Sequence, residues 1–331
     1  MASTLADEPD ATAASGEHES EESVLDLSGD GLRGIDDTVP LSAGLLELCL
    51  MHNRITVIER LEPLTALQRL NLRANRIEVI GGLQSCVALR ELELYENQIS
   101  VLEGLDGLCN LTSLDVSFNQ IERIQGLEGA GLVALSALYL ANNKIKQIEG
   151  LRGLPALQLL ELGSNALRTA DNLHEVPTLT ELHLGRNRIG SLVERLDALH
   201  SLRVLGIASN RLRSLDGIQT LSTLREVYAD HNGIDSVAPL AELRALHTVD
   251  LGANRVANID ACSQLSCLEE LWLSDNAIAD VHALAPLRDL PRLQTLRLCG
   301  CPLAATADYR ASVRRAAPSS LTQLDADPLP P

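Results

Sequence analysis

"LQRLNLRANRIEVI", residues 67–80, sets leucines at 67, 70 and 72, an asparagine at 75 and isoleucines at 77 and 80. Between Leu70 and Leu72 the pattern alternates with the period of a β-strand, so both leucines point one way and Asn71 points the other. The same sentence returns as "LRELELYENQISVL" (89–102), "LTSLDVSFNQIERI" (111–124) and, much later, "LEELWLSDNAIADV" (268–281). Its asparagine recurs at 53, 75, 97, 119, 143, 165, 187, 210, 232, 254 and 276. Eight of those ten intervals are 22 residues and the others are 24 and 23, a regularity that decides the architecture.

The pattern L-x-x-L-x-L-x-x-N-x-I/L-x-x-I/L is that of the leucine-rich repeat. It implies an α/β repeat solenoid, a horseshoe of about 12 repeats over 23–303 with a parallel sheet on its concave side. Each asparagine turns the chain inward and satisfies backbone groups that would otherwise be buried without partners. Only about ten residues remain for the return path, too few for a full helix, so short 3₁₀ or extended segments are expected on the convex side. Asp30 stands at the asparagine position in front of the regular run, and Cys301 behind it.

Composition agrees with a repetitive core. Hydrophobic residues make up 45% of the 331 residues but aromatics only 2%, so the interior is aliphatic. The net charge of −18 is the wrong sign for a nucleic-acid binder, which needs basic stripes against phosphate. No apolar run is long enough to span a membrane, and the start of the chain lacks the basic and apolar regions of a secretory signal. An intracellular protein of the nucleus or cytoplasm is expected, with seven unpaired cysteines. The "NLT" sequon at Asn110 is then read as chance. Residues 1–22 hold seven acidic side chains and no Lys or Arg, and are expected to be a disordered tail. The stretch "CGCPLAATADYRASVRRAAPSSLTQLDADP" (299–328) breaks the repeat. It is read as a cap over 304–331, with an amphipathic helix at about 309–316.

Catalytic chemistry finds no constellation. There is no phosphate-binding glycine loop, zinc-protease motif or nucleophile elbow. A metal site from Cys262, Cys267, Cys299 and Cys301 is set aside, because Cys301 occupies the asparagine position. No cofactor is expected.

The fixed register identifies the outward strand residues. Four places before the asparagine position stand Asp26, Cys49, Asn71, Glu93, Asp115, Tyr139, Glu161, His183, Gly206, Tyr228, Asp250, Trp272 and Arg297. Six places before it stand Val24, Glu47, Arg69, Glu91, Ser113, Ala137, Leu159, Glu181, Val204, Glu226, Thr248, Glu270 and Thr295. Ten of these 26 positions are acidic and two are Lys or Arg, a stronger skew than the 45 acidic and 27 basic residues of the whole chain. Tyr139, Tyr228 and Trp272 share one offset, and Tyr95 also lies on this face. Aromatic rings among carboxylates are the composition of a protein-binding surface.

The 22-residue register, the successive signatures "SFNQI" (117–121), "ELGSNAL" (161–167), "DHNGI" (230–234) and "LWLSDNAI" (271–278), and the ending "YRASVRRAAPSSLTQLDA" (309–326) resemble the family of regulatory subunit 7 of protein phosphatase 1. The resemblance covers about residues 24–327. It implies a non-catalytic regulator, monomeric before complex formation, that docks the catalytic subunit of the phosphatase in its concave face. Carried over by position, the contacts are Asp115, Glu161, Asp250, Glu270 and Trp272. Tyr139 stands where the family has phenylalanine, and His183 also replaces a phenylalanine. Arg297 replaces a tyrosine, reversing the character of that contact. With Tyr228 these residues form the candidate partner site. The alternative is a scaffold of a ciliary, centrosomal or ribonucleoprotein assembly using the same fold.

Overall fold

The computed structural model describes residues 23–329. The acidic segment 1–22, expected to be a disordered tail, lies outside the described residues. Among the described residues every repeat supplies one three-residue strand, from β1 (Val24–Asp26) to β13 (Thr295–Arg297). Their order in the sheet is their order in the chain, and all thirteen are parallel. The thirteen strands agree with the horseshoe of about 12 repeats and with the thirteen outward positions of the register, the degenerate first turn also pairing, Leu25 against Leu48.

From β2 to β13 each strand buries its middle residue and, Gly206 apart, leaves its flanks partly or fully exposed, as in Glu91–Glu93, where Leu92 is in the core. The pleat demands this alternation, and the repeat makes every turn obey it. The interior is a column of leucine, isoleucine and valine running the length of the chain. Each fully buried aliphatic side chain contributes on the order of 1.5–3 kcal/mol. No single turn can bury its own set, so each stabilises its neighbours.

The asparagine column knits the turns. Asn75 Nδ2 donates to Leu72 O at 3.0 Å in its own turn and to Leu50 O at 2.9 Å in the preceding one, while its Oδ1 accepts from Ile55 N at 3.0 Å. The pattern persists across the 24-residue interval, where Asn143 Nδ2 reaches Val116 O at 3.0 Å. The two extra residues are absorbed on the return side around Gly129 and Gly131, both at positive φ, so Leu114 still faces Leu138 in register. Cys301 holds the column's last place, its thiol donating to Leu273 O at 3.1 Å. Asp30 does not hold the first. Its side chain is exposed, and a carboxylate has no N–H to give to the carbonyls that the asparagine amides bind.

The residue before the asparagine position is left-handed throughout, as at Ala74, Phe118 and Asp275. On the convex side the return segments change character along the chain. Early repeats turn at a left-handed residue seven places after the asparagine. At Gly126 a Cβ would lie 1.8 Å from Leu102 O, so only glycine fits. Asn172, at the corresponding place, instead turns its amide onto the matching carbonyl, Ile148 O, at 2.8 Å. Later repeats use 3₁₀ segments, among them Ala238–Glu242, Asp260–Gln264 and Val281–Leu287. Pro239, at the head of the first, has the φ that a 3₁₀ turn needs and no N–H to satisfy.

Beyond β13 comes helix α1 (Tyr309–Ala316), then β14 (Gln323–Leu324), parallel to β13, and β15 (Asp327–Pro328), which returns antiparallel and closes the sheet. The helix buries Val313 against the last coil. Asp325, itself left-handed, accepts the N–H groups of Leu298 and Cys299 at 2.7 and 2.9 Å and the hydroxyl of Tyr309 at 2.9 Å. Arg310 donates to Pro328 O at 2.7 Å and Arg314 to Leu321 O at 3.1 Å. Basic side chains of the helix therefore tie down the closing hairpin.

Candidate functional site

The concave residues carry a second, local task. Asp115 Oδ1 accepts the N–H of Ser117 at 2.8 Å, Glu161 Oε1 that of Gly163 at 2.5 Å, and Asp250 Oδ1 that of Gly252 at 2.9 Å. Each carboxylate thus satisfies the backbone where its strand ends and the chain turns toward the asparagine. This pins one oxygen and orients the other, an arrangement that freely solvated surface acids lack.

Register brings the expected residues into one continuous row. Asp115 pairs with Tyr139, Tyr139 with Glu161 and Glu161 with His183. After Gly206 the row resumes with Tyr228, Asp250, Trp272 and Arg297. Glu270 lies beside Trp272 on the same strand. All nine candidate residues therefore share one surface.

Burial disfavours charge on three acids of this trough, Glu93, Glu161 and Asp250. Glu161 is raised above the usual carboxylate range by desolvation, opposed by the Gly163 N–H and His183 and reinforced by Asp115. Glu93 is raised by desolvation and then by Asp115 and Glu91, with Arg73 opposing. Asp250 is raised by desolvation, opposed chiefly by the Gly252 N–H, while Asp230 adds to the rise. The hydroxyl of Tyr228 donates to Glu226 Oε2 at 2.8 Å. Its pKa is pushed up to about 12 by burial, that hydrogen bond and the fields of Glu226, Glu270 and Asp250. Crowded, partly dehydrated carboxylates are a surface that gains when a cation arrives.

The two basic concave residues lie toward the ends of the row. Arg69 bridges Glu47 at 2.9 Å and Glu91 at 3.1 Å. Arg297 lies over the Trp272 ring, 4.3 Å from its centroid. Between them the strands offer only His183, whose Nε2 is 3.9 Å from Glu181. In the middle Gly163, Gly185 and Ala208 floor a groove of about 690 Å³ walled by Glu161, His183 and Tyr228. Gly206 makes room for His183, since a Cβ there would lie 2.8 Å from Nδ1.

Trp272 is turned out of the core, as the register requires, but it is not free. Arg297 stacks on it, and its indole N–H is buried without an acceptor. Such an unmet donor costs on the order of 1–3 kcal/mol.

Phe118 escaped the register argument. It is 44% exposed, holds φ at 56° and packs on Tyr95 with ring centroids 4.6 Å apart, while Arg73 covers the Tyr95 ring at 4.2 Å. An aromatic in the left-handed region is uncommon. The signal in the sequence was its place immediately before Asn119, the position that is left-handed in every turn.

Among the described residues no group of three or more His, Cys, Asp or Glu has the arrangement of a metal site. Likewise no helix there is long and apolar enough to cross a membrane.

Sequence profiles of the leucine-rich repeat match residues 87–129, 109–167 and 177–192. The chain has the leucine-rich-repeat fold. Solved leucine-rich-repeat structures superpose on most of it. The internalin InlF of Listeria monocytogenes is 25% identical over 92% of this chain and 87% of its own, with a TM-score of 0.78. A leucine-rich-repeat protein of Leptospira interrogans is 20% identical over 90% of this chain and 94% of its own, with a TM-score of 0.60. The internalin InlC2 of Listeria monocytogenes is 27% identical over 59% of this chain and 84% of its own, with a TM-score of 0.54. No curated protein sequence matches the leucine-rich-repeat chain significantly. None of these matches supports the finer likeness to regulatory subunit 7 of protein phosphatase 1.

Proposed function

We propose that this leucine-rich-repeat protein is a non-catalytic interaction subunit that binds a basic protein in its concave trough, and that the partner is the catalytic subunit of protein phosphatase 1. The observation that carries the first part is the row of carboxylates and rings from Glu93 to Trp272, with Glu93, Glu161 and Asp250 partly dehydrated and no Lys or Arg on the strands between Arg69 and Arg297. Acidic side chains there would steer a basic surface and fix its orientation, while Tyr139, Tyr228 and Trp272 supply buried area. The second part is supported by the order of Asp115, Tyr139, Glu161, Asp250, Glu270 and Trp272 along the face. His183 and Arg297 are where this chain departs from that order.

Capture of purified phosphatase catalytic subunit by the full chain is the test. Wild type binds, and a Glu161→Ala, Glu270→Ala, Trp272→Ala variant loses at least tenfold in affinity, the cost of a hot spot. Equal capture by both would sink the site. No capture by wild type would leave the scaffold of a ciliary, centrosomal or ribonucleoprotein assembly as the better account. On the phosphatase reading the protein works in the nucleus or cytoplasm, which cell fractionation checks.

A further inference from the structure

Arg297 closes the concave row, paired in register with Trp272, which is paired in turn with Asp250. The guanidinium lies 4.3 Å from the indole centroid, the distance of a cation–π stack. Arg297 is exposed and Trp272 half-buried, so the arginine covers the ring while water covers the arginine. Its charge also partly offsets the effect of burial on the Asp250 carboxyl. A ring, a neighbouring carboxylate and a planar cation laid on the ring make a guanidinium site, filled here from within.

We infer that the Trp272 end of the concave face is a binding site for an arginine side chain of the partner, which Arg297 occupies in the free protein and vacates on binding. The inference rests on the concave face being the partner surface. Nothing locks Arg297 in place, since it is exposed on the last full strand, next to the short β14. The closed arrangement leaves the indole N–H without an acceptor, so it is not an optimised core contact. Exchanging one guanidinium for another loses little, whereas a lysine ammonium offers no plane to stack. The opposite end differs. Tyr139 is flanked in register by Asp115 and Glu161, and no basic residue stands on its own strand or the two beside it. That end accepts cations in general, and the Trp272 end selects arginine. Six strand-to-strand spacings separate Tyr139 from Trp272, about 29 Å along the sheet at about 4.8 Å each. The partner must spread its basic residues over that distance.

Trp272 is the single tryptophan, so its emission reports on the site. Binding is measured by anisotropy of labelled hexa-arginine and hexa-lysine peptides on the full chain, with Trp272 emission followed in parallel. Arg297→Ala is expected to tighten hexa-arginine binding about two- to fivefold, the size of an exposed cation–π contact, and hexa-lysine binding less. Arg297→Lys keeps the charge but removes the planar stack on the ring, and is expected to retain part of the gain for hexa-arginine. Both gains should vanish when Trp272→Leu is added. Equal gains for the two peptides that survive Trp272→Leu, or no gain in either variant, overturn the arginine site and leave the acidic-face reading in place. Failure of every chain to bind either peptide overturns both.

Discussion

Asn119 and Leu94 stand 25 residues apart and are joined by one hydrogen bond, Asn119 Nδ2 donating to the Leu94 carbonyl at 3.0 Å. The same amide reaches Val116 O and Ser117 O in its own turn, at 3.0 and 3.1 Å, and its oxygen accepts from Ile99 N at 2.9 Å. One side chain thereby satisfies the interior of two turns at once.

Asn119→Ala is expected to cost about 2–4 kcal/mol, because several buried backbone groups lose their partner together. Asn119→Asp should also destabilise, since a carboxylate cannot donate to carbonyls. The exposed-face Asn71→Ala, which breaks a single bond to Arg73 N, should cost under about 1 kcal/mol. Urea unfolding of the three variants checks the order.

Two glycines separate conformational strain from collision. Gly107 and Gly126 both hold positive φ, 83° and 79°, but a Cβ meets nothing within 4 Å at the first and Leu102 O at the second. Gly107→Ala should cost about 1–2 kcal/mol, the left-handed penalty alone. Gly126→Ala adds a clash with backbone that cannot yield and should cost at least about 3 kcal/mol. Similar unfolding midpoints for the two would contradict this account.

The cap can be tested at Asp325, which accepts from two backbone N–H groups and from Tyr309. Asp325→Ala should destabilise by about 2–4 kcal/mol and Tyr309→Phe by about 1 kcal/mol. Hydrogen exchange should rise first at Leu298 and Cys299 in the aspartate variant, because the last turn opens from that end.

Glu161 links stability to pH. Its folded pKa is raised above the ordinary 4.5, so its contribution favours folding below the unfolded value and is lost as pH rises through the folded one. Glu161→Gln keeps an oxygen for the Gly163 N–H and removes the dehydrated charge. It should stabilise the chain at pH 7 by under about 1 kcal/mol, seen as a higher urea midpoint, and change the midpoint little at pH 4. The same variant should bind a basic partner more weakly at pH 7, a trade of stability against function. A lower midpoint at pH 7 would show that the carboxylate stabilises the free chain.

Most of the architecture was legible without coordinates because the repeat forces one geometry on every turn. Alternation at Leu70, Asn71 and Leu72 states which side chains enter the core, and the 22-residue interval states which residues become neighbours across strands. Hence Asp115, Tyr139 and Glu161, or Asp250, Trp272 and Arg297, could be set side by side from spacing alone. Cys301 could likewise be placed in the asparagine column.

What spacing cannot supply is what adjacent side chains do with their rotamers and charges. Only the folded chain turns Asp115, Glu161 and Asp250 back onto their own backbone, lays Arg297 on Trp272 and holds Arg69 between two glutamates. Only there does Phe118 turn outward, at a left-handed position that favours small or polar residues, to stack on Tyr95. The amino-acid sequence determined the turns and the face they build, because a strand's period leaves no freedom about inside and outside. The tertiary structure decided which of that face's charges are already answered within the chain and which await a partner, because that depends on distances between side chains a full turn apart.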